Sequence, residues 1–485
     1  MMLAVALAIV LGTVAGALLA GRRAVAVNVT EWAIGGRRIG GLLFWFLNAG
    51  EIYTTFAVLG ISGYAFAYGA PAYLALTSVS LAATLGYWLM PKIWAAGRER
   101  GLLTQADFFA DHYQSRLLGI VVALAGIAAL VIYVQIQIVA LGLVVRLTLG
   151  QAVAPGLAAL IAAGVMLAFV FTAGLRAAAF AAAVKDVLML AIAIGLCITV
   201  AAKVGATSLL DVYAVAEHSF PGIGRLPGRD PAAGLSTVWL MTAALNVALG
   251  TWVLPHLFQL CYAADSADTI RRNAIWQPLY SLSYLFIIAL GLAALLAGIE
   301  APDGDTNAVL PLFVAANYPP WVTGVFAGTL CLLALVPGSV LLLTAGTIFA
   351  RNVLKSLRPT LSEPAQLRAS RLAMIGFALA AVWLATGASK SLVEIGLSAY
   401  AAIGMLAPGV FLAFLWPRAH ATGVLAGIAT GYAALLLPAA TAFWSAWFPG
   451  WDQGLLAMAV NAATVMLVCA VRPGEGERGL RRLGP

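Results

Sequence analysis

The chain has 485 residues, 63% of them hydrophobic and 9% charged, with a mean hydropathy of +0.98. A soluble protein carries roughly 25% charged residues, so an aqueous globular enzyme is excluded. The net charge of +8 gives no reason to expect nucleic acid, because the basic residues sit in short segments between long apolar runs, as in an all-α polytopic membrane protein whose partner is the lipid bilayer.

A helix needs about 20 mostly apolar residues to cross the hydrocarbon core. That length predicts thirteen transmembrane helices, at 2–20, 41–69, 71–95, 117–145, 153–173, 178–202, 235–258, 275–299, 320–348, 370–388, 392–416, 420–441 and 453–471. The first has no basic residue ahead of a long apolar run, so it reads as a retained helix rather than a signal peptide. Residues 1–40 hold this leading helix and a basic loop, and 203–234 form the longest outer loop, with the turn-rich string P-G-I-G-R-L-P-G-R-D. Residues 417–485 hold two trailing helices and a basic tail. With the N-terminus outside, 21 of the 27 basic residues fall in cytoplasmic segments, five in outer ones, and Lys185 alone lies within a span. The positive-inside rule then predicts an outside N-terminus and a cytoplasmic C-terminus. Cys197, Cys261, Cys331 and Cys469 form no C-x-x-C pair, which indicates neither a disulfide framework nor a metal cage.

Two spans carry the signature of discontinuous helices. The second contains L-N-A-G-E-I-Y-T-T, with Asn48, Gly50 and Glu51 near its centre, and the seventh contains L-N-V-A-L-G-T-W-V-L-P-H, with Asn246, Gly250 and Pro255. With the leading helix set aside, the second span opens one five-helix group (41–202) and the seventh opens another (235–416). Matched placement of interrupted helices in two halves predicts an inverted-repeat binding site near the middle of the membrane. Ordinary membrane-helix glycines used for close packing are the alternative for either span alone.

Charged groups inside a span are functional candidates by default. Glu51 lies deep in the second span, where it reads either as a carboxyl that holds and releases a proton or as a carboxylate tied off by backbone N–H groups at the break. Lys185 and Asp186 are neighbours in the sixth span and do not face each other on a helix. Lys185 is expected to snorkel to the interface, which leaves the shorter Asp186 as the better cation ligand. His256 is expected to be a hydrogen-bonded structural residue, and at most one of Gln135 and Gln137 to face a central site.

These features resemble the sodium:solute symporter family over nearly the whole chain. The resemblance rests on G-G-R-R-I-G-G before the second span, T-Q-A-D-F-F-A-D-H-Y before the fourth, T-A-G-L-R-A-A-A-F and K-D in the sixth, P-H-L-F-Q ending the seventh and F-A-R-N-V-L-K closing the ninth. G-E-I-Y-T-T, P-H-L-F-Q and I-R-R-N-A resemble its bacterial monocarboxylate permease branch most. The resemblance implies one leading helix, a five-plus-five inverted-repeat core and two trailing helices in a bacterial inner membrane. It further implies a main sodium site built from the carbonyls of Gly50, Tyr53 and Leu333 and from a hydroxyl pair. That pair falls on Val336 and Pro337, neither of which can coordinate a cation. A second cation site implied by the family matches Asp186 and Ser339.

The expected function is therefore secondary active symport of a small organic solute with a cation, by alternating access, with no organic cofactor and with Na+ or H+ as coupling ion. The branch resemblance implies a monocarboxylate such as lactate, pyruvate or acetate, with Asn48, Tyr53, Thr54, Asn246 and Trp252 as expected lining. Sodium-coupled symport of an amino acid or sugar, and a membrane-embedded solute sensor, are the alternatives. A membrane-embedded enzyme would need a nucleophile–base or metal cluster, which Glu51 and a distant His256 do not supply.

Overall fold

The computed structural model describes residues 1–21, 29–150, 153–387 and 391–471, with the main chain alone described at 20, 21, 29, 32 and 172–176. Arg22, Arg23, Lys390, Arg472, Arg478, Arg481 and Arg482, which contribute to the expected charge asymmetry, lie outside the described residues.

Most helices begin where the sequence supplies a cap or a proline. Thr104 and Asp107 form a capping box. The hydroxyls of Ser115, Ser236, Ser266 and Ser391 each accept from the backbone N–H three residues on, and Pro155, Pro255, Pro320 and Pro438 stand at first helical positions. Both devices satisfy or remove donors that a helix start would otherwise leave orphaned in lipid.

In chain order the helices are α1 (Met2–Gly21), α2 (Gly41–Gly50), α3 (Ile61–Tyr68), α4 (Leu74–Arg100), α5 (Gln105–His112), α6 (Arg116–Leu149), α7 (Pro155–Lys203), α8 (Thr237–Thr251) and α9 (Pro255–Ala263). They continue as α10 (Ala267–Ser281), α11 (Ser283–Leu296), α12 (Pro320–Ile348), α13 (Glu363–Thr386), α14 (Leu392–Gly404), α15 (Ala407–Leu415), α16 (Ala421–Leu436), α17 (Pro438–Trp447) and α18 (Gln453–Val471). Among the described residues no strand is assigned, as expected where every backbone polar group must be satisfied within its own segment. Eight helices are long and apolar enough to cross a membrane, or up to eleven if each bent pair is one span. The expected number was thirteen. The difference lies in the second span, interrupted into pieces each too short to count, and in the arm Pro155–Phe171 of α7, which is also short.

The innermost element is α12, buried along almost its whole length and packed against α1, α6, α7 and α13. Its glycines permit the close approach that membrane packing uses. The outer surface is studded with apolar side chains such as Leu42, Ile198, Met241, Trp383 and Leu467, as a lipid-facing shell requires. At one end of the bundle, Asp107 accepts from the N–H groups of Leu103 (2.9 Å) and Thr104 (3.3 Å), from Arg351 Nε (2.7 Å) and from Asn352 Nδ2 (2.7 Å). This carboxylate ties α5 to the widened turn Phe349–Leu354 that follows α12.

Candidate functional site

Both helices expected to be discontinuous are interrupted. The helix α2 stops at Gly50, residues 51–54 are non-helical, and a widened turn, Phe56–Gly60, leads into α3. The helices α8 and α9 are separated at 252–254 by a bend of 48°. The interruption after Gly50 leaves the carbonyls of Gly50 and Tyr53 to find partners outside their own helix.

Those partners come from α7. Lys185 is fully buried, and its Nζ donates to Gly50 O (2.8 Å), Tyr53 O (3.2 Å) and Asp186 Oδ1 (2.6 Å). An ammonium has three donors and no acceptor, so this one is saturated. The expectation that Lys185 snorkels out is overturned, as is the expectation that Lys185 and Asp186 do not pair. The helix α2 packs directly on α7, which puts the bare carbonyls within reach of the lysine tip. Gly50 is needed for the approach, since a Cβ there would stand 2.9 Å from both Lys185 Nζ and Asp186 Oδ2.

Glu51 is buried beside this group, within electrostatic reach of Lys185 and Asp186. Neither of its carboxyl oxygens has a hydrogen-bond partner among the described residues, so the expectation of a carboxylate tied off by backbone N–H groups is not met. Asp186 Oδ2 likewise has none. Around the rest of the expected sodium site, Val336 and Pro337 are buried within α12 and offer no side-chain oxygen. Pro337 has no N–H to give to Leu333 O. Ser339 donates to Val336 O at 2.6 Å, within its own helix.

The residues expected to line the solute do not converge. Asn48 and Trp252 border one narrow void, with Phe44, Gly86 and Gln277, and Trp252 Nε1 is held by Ala82 O at 2.5 Å. Thr54 is fully buried, and its hydroxyl accepts from Phe56 N at 3.2 Å. Tyr53 packs edge-on against Tyr280, with ring centroids 4.1 Å apart, and tilted against Tyr284 at 5.1 Å. Asn246 faces away, toward Gly404 and Gly454, on α14 and α18. Its outward side is set by the trailing helix α18, which the repeat argument left out.

A second enclosed void, of about 20 Å³, lies between the two interrupted helices. Its lining includes Ile52 and Phe56 from the first break, Ser78 from α4, Tyr133 from α6, Val247 from α8 and Tyr400 from α14, with Tyr284 of α11 closing one wall. The Tyr133 and Tyr400 rings meet edge-on, with centroids 6.3 Å apart. Tyr133 also stacks on His256, with ring centroids 5.8 Å apart; neither ring nitrogen of His256 has a hydrogen-bond partner among the described residues, contrary to expectation. Gln137 accepts from Thr55 Oγ1 at 2.9 Å, at the first break, while Gln135 turns away to Leu384 O. The signal for this cavity was available in the sequence: Tyr133, Tyr284 and Tyr400 are mid-span, whereas membrane tyrosines concentrate at the interfaces.

Comparison with known proteins agrees with this architecture. Residues 32–431 match the model of the sodium:solute symporter family. The chain is 34% identical to the uncharacterized symporter YhjB of Bacillus subtilis over 412 residues, covering 84% of this chain and 83% of that one. It is 28% identical to a monocarboxylate transport permease protein of Rhizobium johnstonii over 470 residues, 92% of this chain and 91% of the other. Among solved structures, a Na+-coupled sialic acid symporter in a substrate-bound outward-open state superposes with a TM-score of 0.78 at 16% identity, covering 97% of this chain and 98% of that one. A nucleobase-cation-symport-1 family transporter shares the fold at a TM-score of 0.61, with 12% identity and coverage of 93% and 99%. A membrane-embedded chain with two interrupted helices around a central cavity, matched over most of its length, thus belongs to the sodium:solute symporter family, whose members are cation-coupled membrane transporters of small solutes rather than enzymes.

Proposed function

We propose that this chain imports a small monocarboxylate, of the size of acetate, lactate or pyruvate, by alternating access in a bacterial inner membrane. The observation that carries the reading is the lining of the void bounded by both interrupted helices, apolar apart from a few hydroxyls, which widens to admit a solute when the helices move apart. A short aliphatic acid matches that lining better than a sugar, which would leave many hydroxyls facing Ile52, Phe56 and Val247. The N-terminal end of the Phe56–Tyr68 segment opens at the first break, where the helix dipole favours a carboxylate. The Tyr133 and Tyr400 hydroxyls are the polar groups that would orient it.

In this reading the two breaks act as hinges, and rocking of the helix pairs around the cavity exposes it to each side in turn. Residues 41–202 and 235–416 are the two repeats. The interrupted segment Gly41–Tyr68 and the arm Pro155–Phe171 bring the spans from eleven to thirteen, with the N-terminus outside and the C-terminus cytoplasmic. The monocarboxylate names among the relatives support the solute class.

The test is uptake of labelled pyruvate, lactate and acetate into proteoliposomes under an imposed proton gradient. Saturable uptake is expected, with mutual competition among the three acids and none from proline or glucose. Absence of uptake for all three acids, with transport of proline or glucose, would overturn the assignment of solute class.

A further inference from the structure

We infer that the Lys185 ammonium is the resident cation of the first helix break, and that solute transport by this chain consequently needs no sodium. The inference rests on the symport reading above but concerns the ion alone. Three independent features of the break point the same way. The carbonyls of Gly50 and Tyr53, the oxygens a cation would take there, already receive Nζ of a buried lysine at 2.8 and 3.2 Å. The negative charge beside them, Asp186, holds the same ammonium at 2.6 Å. In α12 the two positions that the family resemblance assigns to hydroxyl ligands are Val336 and Pro337, which contribute no side-chain oxygen, and the Ser339 hydroxyl donates to Val336 O.

A hard ion such as sodium needs several oxygens to replace its hydration shell. Here the two break carbonyls are already taken by the ammonium, and the position they surround is filled. A sodium ion drawn to the same two carbonyls would sit almost on the ammonium, where like charges in a poorly screened interior repel strongly. The lysine stem makes the replacement permanent, because the cation is covalently attached to α7 and is not diluted into either compartment. It neutralises the exposed end of α2 without being transported. The bridge from the interrupted helix to its neighbour is then made by α7 itself, through Nζ to the α2 break. The loss of two ligands from α12 and the gain of one buried cation on α7 are two halves of a single exchange.

The experiment measures the ion on the purified full chain, separately from the solute. Binding of 22Na+ and the thermal stability in about 100 mM sodium against choline chloride are compared for the wild type, Lys185→Ala and Asp186→Asn. The wild type is expected to bind no sodium, to show no sodium-dependent shift in melting temperature, and to take up its solute at equal rates, within twofold, in sodium and choline media. In Lys185→Ala the vacated carbonyls and Asp186 become accessible, so a monovalent cation (sodium, potassium or ammonium) is expected to raise the melting temperature by several degrees over choline. Saturable 22Na+ binding by the wild type that Asp186→Asn abolishes would overturn the inference. So would a well-folded Lys185→Ala protein that responds to no monovalent cation, because the lysine would then be filling no cation position. If Lys185→Ala does not fold, the wild-type measurement decides alone. Failure of all monocarboxylate uptake would count against the proposed solute and leave the ion measurement intact.

Discussion

The Lys185–Asp186 pair allows its own energetic test. Both side chains are fully buried, and Nζ and Oδ1 are 2.6 Å apart. In Asp186→Asn the ammonium keeps two carbonyls and loses its bonded counter-charge, and in Lys185→Met the carboxylate keeps nothing. Removing one partner of a buried pair costs about 3–5 kcal/mol, whereas replacing both by neutral side chains of similar volume is often close to neutral. Each single variant is therefore expected to lose about 3 kcal/mol, while the double variant loses only about 1 kcal/mol, giving a coupling energy of about 5 kcal/mol in a double-mutant cycle. The readout is thermal unfolding in lipid nanodiscs, followed by tryptophan fluorescence, with the four proteins measured at one protein and salt concentration. Solute uptake should fall at least tenfold in both single variants, because the bridge between α7 and the α2 break is cut in each. Losses that simply add in the double variant, or single losses below roughly 1 kcal/mol, would refute the claim that the pair is a closed unit seated on the break.

Three further outcomes follow from the geometry. Gly86→Ala would place a Cβ 2.5 Å from Cζ2 of the Trp252 indole, which Ala82 O holds in place; overpacking of this kind costs about 1–3 kcal/mol, visible as a lower melting temperature and slower uptake, and an unchanged protein would show that the second break yields easily. Tyr133→Phe and Tyr400→Phe each remove one cavity hydroxyl, and are expected to raise the KM for solute by roughly five- to tenfold while changing stability by less than about 1 kcal/mol; an unchanged KM would show that these hydroxyls do not touch the solute. Burial pushes the His112 imidazole down to about 4 from its ordinary 6.5, so it stays neutral in the fold while the unfolded chain takes up a proton. Stability should thus be full above pH 6.5 and decline as the pH falls from 6.5 toward 4, by about 1 kcal/mol after discounting for partial exposure, and His112→Gln should flatten that part of the pH–stability profile.

Much of the scaffold is written locally. Apolar run lengths locate the long helices α4, α6, α12, α13 and α18 to within several residues at each end, because each must cross the same hydrocarbon thickness. Prolines and serines mark their starts, because orphaned donors in lipid are costly wherever they occur. The interruptions at Gly50–Thr54 and at Trp252–Leu254 are visible for a related reason: Gly, Asn and Pro in mid-span weaken a helix irrespective of what surrounds it. The solute lining was not visible in the same way. Trp252 and Asn246 carry polar groups near the second break, yet α4 and α18 claim them from behind, and packing of a trailing helix has no signature in the interrupted helix itself.

Lys185 shows where the boundary falls. Its sequence neighbourhood says that a cation sits two turns inside a span, and general physics says that such a cation seeks water or oxygen. The sequence by itself determined that the chain spans a membrane many times, that two of its helices are interrupted, and that the usual hydroxyl ligands are missing at Val336 and Pro337. The tertiary structure alone decided that the carbonyls of the break and the buried lysine belong to one place, because Gly50 and Lys185 are 135 residues apart. Only the packing of α2 against α7 brings carbonyls stripped of their helical donors within 3 Å or so of an ammonium whose other acceptor is Asp186.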